Sequence, residues 1–483
     1  MSKSIKKNYI YNLINTVTQL LFPLITYPYV TRVLGYELFG HVNFLNSIIT
    51  YITLGTSLGI PIYGIREIAK VKDNPRQVSH VTLEILLLHL SLSLIGYIVV
   101  TCFSIFDPRI SESATAFLIL SATIFFTALG CNWFYQGVED FRYITLRSII
   151  VKIVSIILLF IFVKTKNDVL WYCGYLVIGV LGGNLFNFFR LRKYISFKGL
   201  KWAAIKPFRH LRAVINVFAL SFLASLYQNL NTVVLGYAKG DGSVAFYTMA
   251  LKLVLIGSSI LNSFTYVLIP RLSEYSEKQQ GTSFASLAQK SWDINILISL
   301  PLSIGFILMA PELIQIFSTS EFEPAIITIR ILALLVLVTS LSSVLGLQIL
   351  YSLGKIGIQI RCAIIGACVN FTLLFFLTKI LGENGVAISY ITAEISVLLS
   401  LAIIGRKFIP IQYIKVNYYK YAIATLVMSV VVLALKQLSY NIYLQFALVA
   451  LTGSVVYFFV LLILKDTLIR DSLKSLKTKV GLK

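Results

Sequence analysis

The chain has 483 residues, 57% of them hydrophobic and 13% charged, with a formal net charge of +22 and a mean hydropathy of +0.84. Soluble domains carry roughly 25% charged residues, so this composition excludes a soluble fold and implies that most of the surface faces lipid or other apolar helices. The basic excess does not imply a nucleic-acid partner, because Lys and Arg fall in short runs between apolar segments, as in cytoplasmic loops.

The basic start Lys3, Lys6, Lys7 leads into a long apolar stretch that contains Asn12, Asn15 and Gln19 and lacks a small-residue cleavage site. It is therefore expected to stay as the first membrane helix rather than be removed as a signal peptide. Pro23 and Pro28 lie within it; each removes a helical hydrogen bond, so the pair predicts a kink and marks candidate hinge residues, or else a merely bent packing helix. The span ends at Arg32, a tight loop at Gly35 and Gly40 reverses the chain, and a second apolar span returns to a basic end at Arg66 and Lys70. Residues 20–70 thus read as a transmembrane hairpin.

Windows of about 20 apolar residues predict about fourteen spans, centred near residues 20, 52, 93, 124, 154, 179, 223, 258, 300, 335, 367, 394, 426 and 453. The weakest are the ninth, which opens with Trp292 and Asp293, and the thirteenth. With the N-terminus inside, 33 basic residues fall on the cytoplasmic side or within a turn of it. Seven fall outside (Arg32, Arg109, Lys164, Lys166, Lys239, Lys379, Lys436), and two lie well inside spans, Lys252 and Arg330. This asymmetry places both termini in the cytoplasm. Outer connections are short and leave no room for an outer catalytic domain.

The longest inner connection, residues 190–212, carries eight basic residues with Tyr194, Phe197, Trp202 and Phe208 interleaved. Such a segment either lies on anionic membrane lipids of the inner leaflet or simply marks topology. It also divides the chain. VLGY occurs at residues 33–36 and again at 234–237, and FYQGVEDFRYITLRSII (134–150) is echoed by ILYSLGKIGIQIRCAII (349–365). The expected fold is an all-α polytopic membrane protein with about 14 transmembrane helices, in which two six-helix lobes form a parallel repeat and a C-terminal helix pair is appended. The corresponding segments are 1–190, the basic cytoplasmic linker 191–212, 213–405, and 406–483 with its basic tail.

Soluble-enzyme motifs for nucleotides, nucleophilic serines or zinc are missing, and no cofactor, metal or catalytic residue is expected. The five cysteines, Cys102, Cys131, Cys173, Cys362 and Cys368, have no metal-ligand spacing and read as packing residues. Of His41, His80, His89 and His210 only His89 lies within a span, where packing is a more economical role than proton carriage. Glu84 reads as interfacial at the inner end of the third span.

Charge inside the membrane is the sharper signal, since a Lys, Arg or Asp at the bilayer centre costs roughly 2.5–3.5 kcal/mol on insertion scales and persists where it faces a cavity or a partner. Lys252 falls near the middle of the eighth span, Arg330 about two turns into the tenth, and Arg32 at the end of the first. Guanidinium groups grip phosphate oxygens in pairs and ammonium acts as a point charge, so this trio suits a substrate pyrophosphate. Snorkelling to outer headgroups, or a salt bridge for Lys252, would explain the same residues. Glu394, near the midplane of the twelfth span, with Asn370 at similar depth in the eleventh, is a candidate H+ or Na+ coupling site or a counter-ion to Lys252 or Arg330. Asn15, Gln19, Asn229, Asn231 and Asn262 either line a wet cavity or bond helix to helix.

The opening PLITYPYVTRVLGYELFGHVNFLNSI with GIREIAK resembles the N-terminal signature of the Wzx-type polysaccharide and O-antigen flippases, members of the MATE-like superfamily of multidrug, oligosaccharidyl-lipid and polysaccharide exporters. VVLGY, FYTMALKL and VLIPRLSE around the eighth span, and RILALL and LGLQILYSLGK in the tenth, fit as well; the last hundred residues add little beyond hydrophobicity. The resemblance implies two six-helix lobes around a cavity that opens alternately to each side. It also implies transport of an undecaprenyl-pyrophosphate-linked oligosaccharide across the bacterial cytoplasmic (inner) membrane, with the polysaccharide polymerase machinery as an expected partner. A MATE-type multidrug/cation antiporter and a lipid II flippase remain open within the superfamily, and a membrane-bound polysaccharide polymerase is the alternative of another class.

Overall fold

The computed structural model describes residues 5–195, 205–438 and 441–470, without the side chains at 5–17, 19–21, 216, 219–228, 260, 262–264, 266 and 267. Phe197 and Trp202 of the linker, the tail beyond 470, and the side chains of Asn12, Asn15, Gln19 and Asn262 lie outside the described residues.

The described residues are mostly helical, with no strand among them. The first half comprises α1 (Ile5–Ser57), α2 (Ile60–Val71), α3 (Pro75–Phe106), α4 (Pro108–Ser111), α5 (Ala114–Leu129), α6 (Asn132–Gly137), α7 (Phe141–Phe162), α8 (Val169–Leu191) and α9 (Leu211–Lys239). There follow α10 (Asp241–Glu277), α11 (Gly281–Leu308), α12 (Ala310–Phe317), α13 (Ala325–Leu332), α14 (Leu334–Ser343), a π-helical stretch Val344–Leu350, α15 (Ile356–Ile404), α16 (Tyr418–Lys436) and α17 (Ile442–Ile463).

Eleven helical segments among the described residues are long and apolar enough to cross a membrane, so the protein is a multi-pass membrane protein. Large apolar side chains recur at helical spacing on exposed faces, such as Ile150, Ile153, Val154, Ile157 and Ile161 on α7 or Phe371, Phe375 and Phe376 on α15. These are the stripes that lipid would cover. The expected count of fourteen exceeds eleven by three, and two of the three have a local reason. Both α1 and α15 run through a non-helical glycine, Gly35 (φ 75°, ψ 177°) and Gly382 (φ 57°, ψ −131°), and each therefore contains two helical runs.

Two contacts show that these glycines are reversals rather than kinks. Tyr27 and Phe39 sit twelve residues apart, about 18 Å along a continuous helix, yet their rings meet edge-on at 5.7 Å. A Cβ added to Gly385 would lie 2.1 Å from the Leu377 carbonyl oxygen, so the two runs of α15 touch backbone to backbone just beyond the turn. Positive φ is open to glycine at little cost, which is why the chain turns at these positions. Pro23 and Pro28 lie inside α1, and its interior departure from helical geometry is at Gly35. The second VLGY is not built like the first. Gly236 stays helical and the positive-φ residue is Gly240 (φ 85°), about one helical turn later in register.

Contacts divide the chain into two compact units, Met1–Ala245 and Phe246–Lys483. In the first, α5 packs on α1, α3 and α8, α7 packs on α1 and α8, and α9 packs on α1 and α2. The last contact is close: a Cβ on Gly59 would meet the Val214 carbonyl oxygen at 2.4 Å. The helix α9, assigned from sequence to the lobe 213–405, thus packs with the first unit. In the second unit α11 packs on α14 and α16, α14 on α15, and α16 on α17.

The Gly385 contact leaves no room for even a methyl group. Gly385→Ala is expected to destabilise the protein by about 1–3 kcal/mol, the usual cost of overpacking. Gly55→Ala, where an added Cβ meets nothing within 4 Å, is expected to leave stability unchanged or raise it. Thermal unfolding of the two detergent-solubilised variants checks the pair.

Candidate functional site

The predicted substrate-facing cations lie on helices of both units. Arg32 is exposed in α1, three residues before the Gly35 reversal, in the first unit. Lys252 and Arg330 belong to the second. Lys252 is exposed although its neighbours Leu251, Leu253 and Val254 are almost fully buried, eleven residues or about 16 Å from the start of α10. Arg330 is likewise exposed on α13 beside buried Ile329 and Leu332. Among the described residues no carboxylate forms an ion pair with Lys252 or Arg330, and no cation pairs with Glu394. The counter-ion alternative for Glu394 therefore finds no support in this geometry.

Asn370 and Glu394 lie on the two runs of α15, each twelve residues from Gly382. Because the chain reverses there, both stand about 18 Å from the turn and hence at one depth. Asn370 is buried and Glu394 is half-exposed.

Two further in-span cations come from α7. Lys152 lies at the midpoint of this membrane-spanning helix, its ammonium 5.2 Å from the centre of the Phe22 ring. Arg147, five residues earlier, donates to Asn132 Oδ1 at 3.1 Å and lies over the Tyr143 ring. Neither pairs with a carboxylate among the described residues. The charge tally assigned both to the cytoplasmic side, although the apolar window centred near 154 already enclosed Lys152. Around Arg147 a polar knot ties α6 to α8, with Asn132 Nδ2 donating to Asn184 Oδ1 at 3.2 Å and Asn187 Nδ2 to Asn132 Oδ1 at 2.9 Å.

Glu84, read from sequence as interfacial, is tied to the inner linker. Its side chain is fully buried on α3 and accepts from the Lys206 backbone N–H (2.7 Å), Arg209 Nη2 (2.5 Å) and His210 Nε2 (3.0 Å), with His80 Nδ1 at 3.3 Å. The Tyr63 hydroxyl lies 2.6 Å from His210 Nδ1. When Tyr63 donates, the imidazole proton is held on Nε2, facing the carboxylate. This carboxylate anchors the last residues of the inner linker, Lys206 to His210, to the ends of α2 and α3. The partners are some 126 residues apart in the chain, so no local pattern announces them.

Other charges placed by the hydropathy pattern are likewise joined. Asp241 accepts from Arg109 Nη2 and lies 3.0 Å from His41 Nδ1, while His41 Nε2 is 2.8 Å from the Ser113 hydroxyl. Arg109 also donates to the Gly236 carbonyl and covers the Phe44 ring at 4.1 Å. Asp293, at the head of the weakly predicted ninth span, accepts from Lys415 Nζ (2.7 Å), the Tyr418 hydroxyl (2.6 Å) and Gln289 (2.8 Å), which ties α11 to the C-terminal helix pair. His89 meets the Ser57 hydroxyl at 3.1 Å, a packing contact. All five cysteines are free thiols, and no cluster of metal-ligating side chains occurs among the described residues.

Comparison with known proteins follows the same lines. A profile of the family described as polysaccharide biosynthesis protein matches residues 5–276, more than half of the chain. The chain belongs to this family. As a polysaccharide biosynthesis protein it is 26% identical over 385 residues to a putative O-antigen transporter of Shigella dysenteriae, which covers 78% of this chain and 94% of the relative. A putative O-antigen transporter of Escherichia coli (strain K12) is 26% identical over 396 residues, covering 81% of this chain and 94% of that protein. Among solved structures, the lipid II flippase MurJ in an inward closed conformation superposes with a TM-score of 0.73 at 18% identity, over 95% of this chain and 99% of that one. The last likeness establishes that this family member shares the fold.

Replacing Glu84 by Ala leaves Arg209 and His210 facing a site with no charge partner and releases the Lys206 amide. Trypsin, which does not cleave before Pro207, is then expected to cut after Arg209 several-fold faster than in the unaltered protein, read by mass spectrometry of the fragments. An unchanged cutting rate would show that Glu84 does not anchor this segment.

Proposed function

We propose that the protein is a flippase that moves undecaprenyl-pyrophosphate-linked oligosaccharide repeat units from the cytoplasmic to the outer leaflet of the bacterial inner membrane, for O-antigen, capsule or exopolysaccharide synthesis. In favour stand the two O-antigen transporter relatives, which align over 94% of their own lengths. The structural observation that carries the reading is the exposed Lys252, embedded in an apolar helix without a carboxylate partner among the described residues. A cation in that setting costs roughly 2.5–3.5 kcal/mol, and an anionic headgroup compensates the cost only while substrate is bound. That is the condition transport needs.

In this proposal Arg32, Lys252 and Arg330 bind the pyrophosphate, with Lys152 and Arg147 as further in-span cations along its route. The glycan occupies the polar interior and the polyprenyl tail stays in lipid. The substrate crosses unaltered by alternating access, with Pro23 and Pro28 as hinge residues and both termini in the cytoplasm. Glu394 and Asn370, level with one another, are proposed to couple transport to H+ or Na+, since no nucleotide motif is present to supply energy.

The test is complementation of cells that lack their own flippase, with membrane insertion of each variant verified by blotting. Lys252→Ala and Arg330→Ala are each expected to lower surface polysaccharide at least about tenfold, and Lys252→Arg to retain much of it because the charge remains. Full surface polysaccharide with both alanine variants would refute the binding assignment. In proteoliposomes carrying lipid-linked repeat units, Glu394→Gln is expected to make transport indifferent to an imposed pH or Na+ gradient.

A further inference from the structure

The connection between α10 and α11 forms a recess of about 440 Å³ at the end of α10 opposite Asp241. Arg271 and Tyr275 line it from one helix, and Thr282, Ser283, Ser286 and Lys290 from the other. Arg271 and Tyr275 are four residues apart, and Ser283, Ser286 and Lys290 are spaced by three and four. Each set therefore lies on one helical face, and the two faces meet across the recess.

All six of these side chains are hydrogen-bond donors, and none makes a hydrogen bond or ion pair with a described residue. Many other helical hydroxyls of this chain donate to the carbonyl four residues back, as Thr26, Ser47 and Thr82 do. No carboxylate lines the recess, and Glu274, one turn from Arg271, is engaged by Lys278 at 2.5 Å. Two cations and four hydroxyls converging on one recess, with no carboxylate among its lining residues, suit a group that is rich in oxygen and negatively charged.

Depth narrows the class. Arg271 lies thirty residues after Asp241, about 45 Å along α10, which matches the 40–45 Å thickness of a bilayer with its headgroups. With Asp241 at the outer headgroup level, Arg271 reaches the inner one, where lipid phosphates lie.

We infer that this recess binds the phosphate of a membrane-lipid headgroup at the cytoplasmic surface. On the flippase reading, on which this step rests, it receives the pyrophosphate of the lipid-linked substrate before that group moves along α10 toward Lys252, nineteen residues or about 28 Å away. The phosphate of an ordinary phospholipid has the same chemistry, and the experiment separates the two sources.

The purified full-length protein is labelled with a benzophenone-bearing short-chain prenyl diphosphate, and the labelled peptides are mapped by mass spectrometry. Label is expected in residues 271–290 and, separately, around Lys252. Arg271→Gln/Lys290→Gln should lower the label in 271–290 at least about tenfold and leave that around Lys252, whereas Arg271→Lys/Lys290→Arg should keep both. Absence of label in 271–290, or a yield there that the glutamine pair does not change, overturns the inference. Displacement of that label by dihexanoyl phosphatidylglycerol as readily as by unlabelled prenyl diphosphate supports the site and assigns it to bulk phospholipid. Loss of label around Lys252 alone would count against the flippase site and leave the recess standing.

Discussion

A charge inside hydrocarbon must be paired, hydrated or moved to the surface, and this requirement sorts the ionisable side chains of the protein into two groups. The first group is paired: Glu84 with Arg209 and His210, Asp140 with Arg190, Asp241 with Arg109, Asp293 with Lys415, and Glu312 with Lys436. Each of these joins segments distant in sequence, and removing the cation beside Glu84, Asp140, Asp293 or Glu312 would leave a largely buried carboxylate without compensation. The second group, Arg147, Lys152, Lys252 and Arg330, lies within apolar helices with no carboxylate partner among the described residues. Against these four cations stands one in-span carboxylate without a cation partner among the described residues, Glu394, so the shortfall has a sign, and an anion is what would complete it.

Much of the fold was legible because membranes impose simple rules. Hydropathy gave the helices, and Gly35 was readable as a reversal since a glycine between two apolar runs, just after a terminal arginine, has few other uses. Gly382 was harder to read: it lies in LGENG, where Asn384 and Gly385 offer equal turn signals, and only the backbone angles at Gly382 identify the turning residue. Periodicity missed Lys152 as an in-span charge because a lone lysine between Val151 and Ile153 resembles the many lysines that flank spans. Its position over the Phe22 ring depends on a helix more than a hundred residues away.

The site was less legible than the scaffold, for a related reason. Sequence shows where a charge is costly but not what compensates it. Glu84 looked like a boundary residue, yet its partners lie up to 126 residues away and make it a joint between helices, as Asp241 is with Arg109, 132 residues away. Lys252 and Arg330 looked costly and remain uncompensated within the described chain. The duplicated VLGY shows the same limit. Identical letters are set into different turns, one reversing at its own glycine and the other a helical turn later at Gly240.

The π-helical stretch Val344–Leu350 carries a mechanical consequence. A π turn holds one residue more than an α turn, so the side chains after it are rotated relative to those before it. Sliding the wide turn along the chain would swivel whatever lies between its old and new positions without unwinding the rod. Here the slide has an obstacle: Gln348 is fully enclosed and its carbonyl takes a 2.5 Å hydrogen bond from Ser291, so the bulge cannot travel unless α11 gives up that bond or travels too. Any swivel of this segment is thereby geared to the neighbouring rod, and a displacement of one would be felt by the other at the same instant.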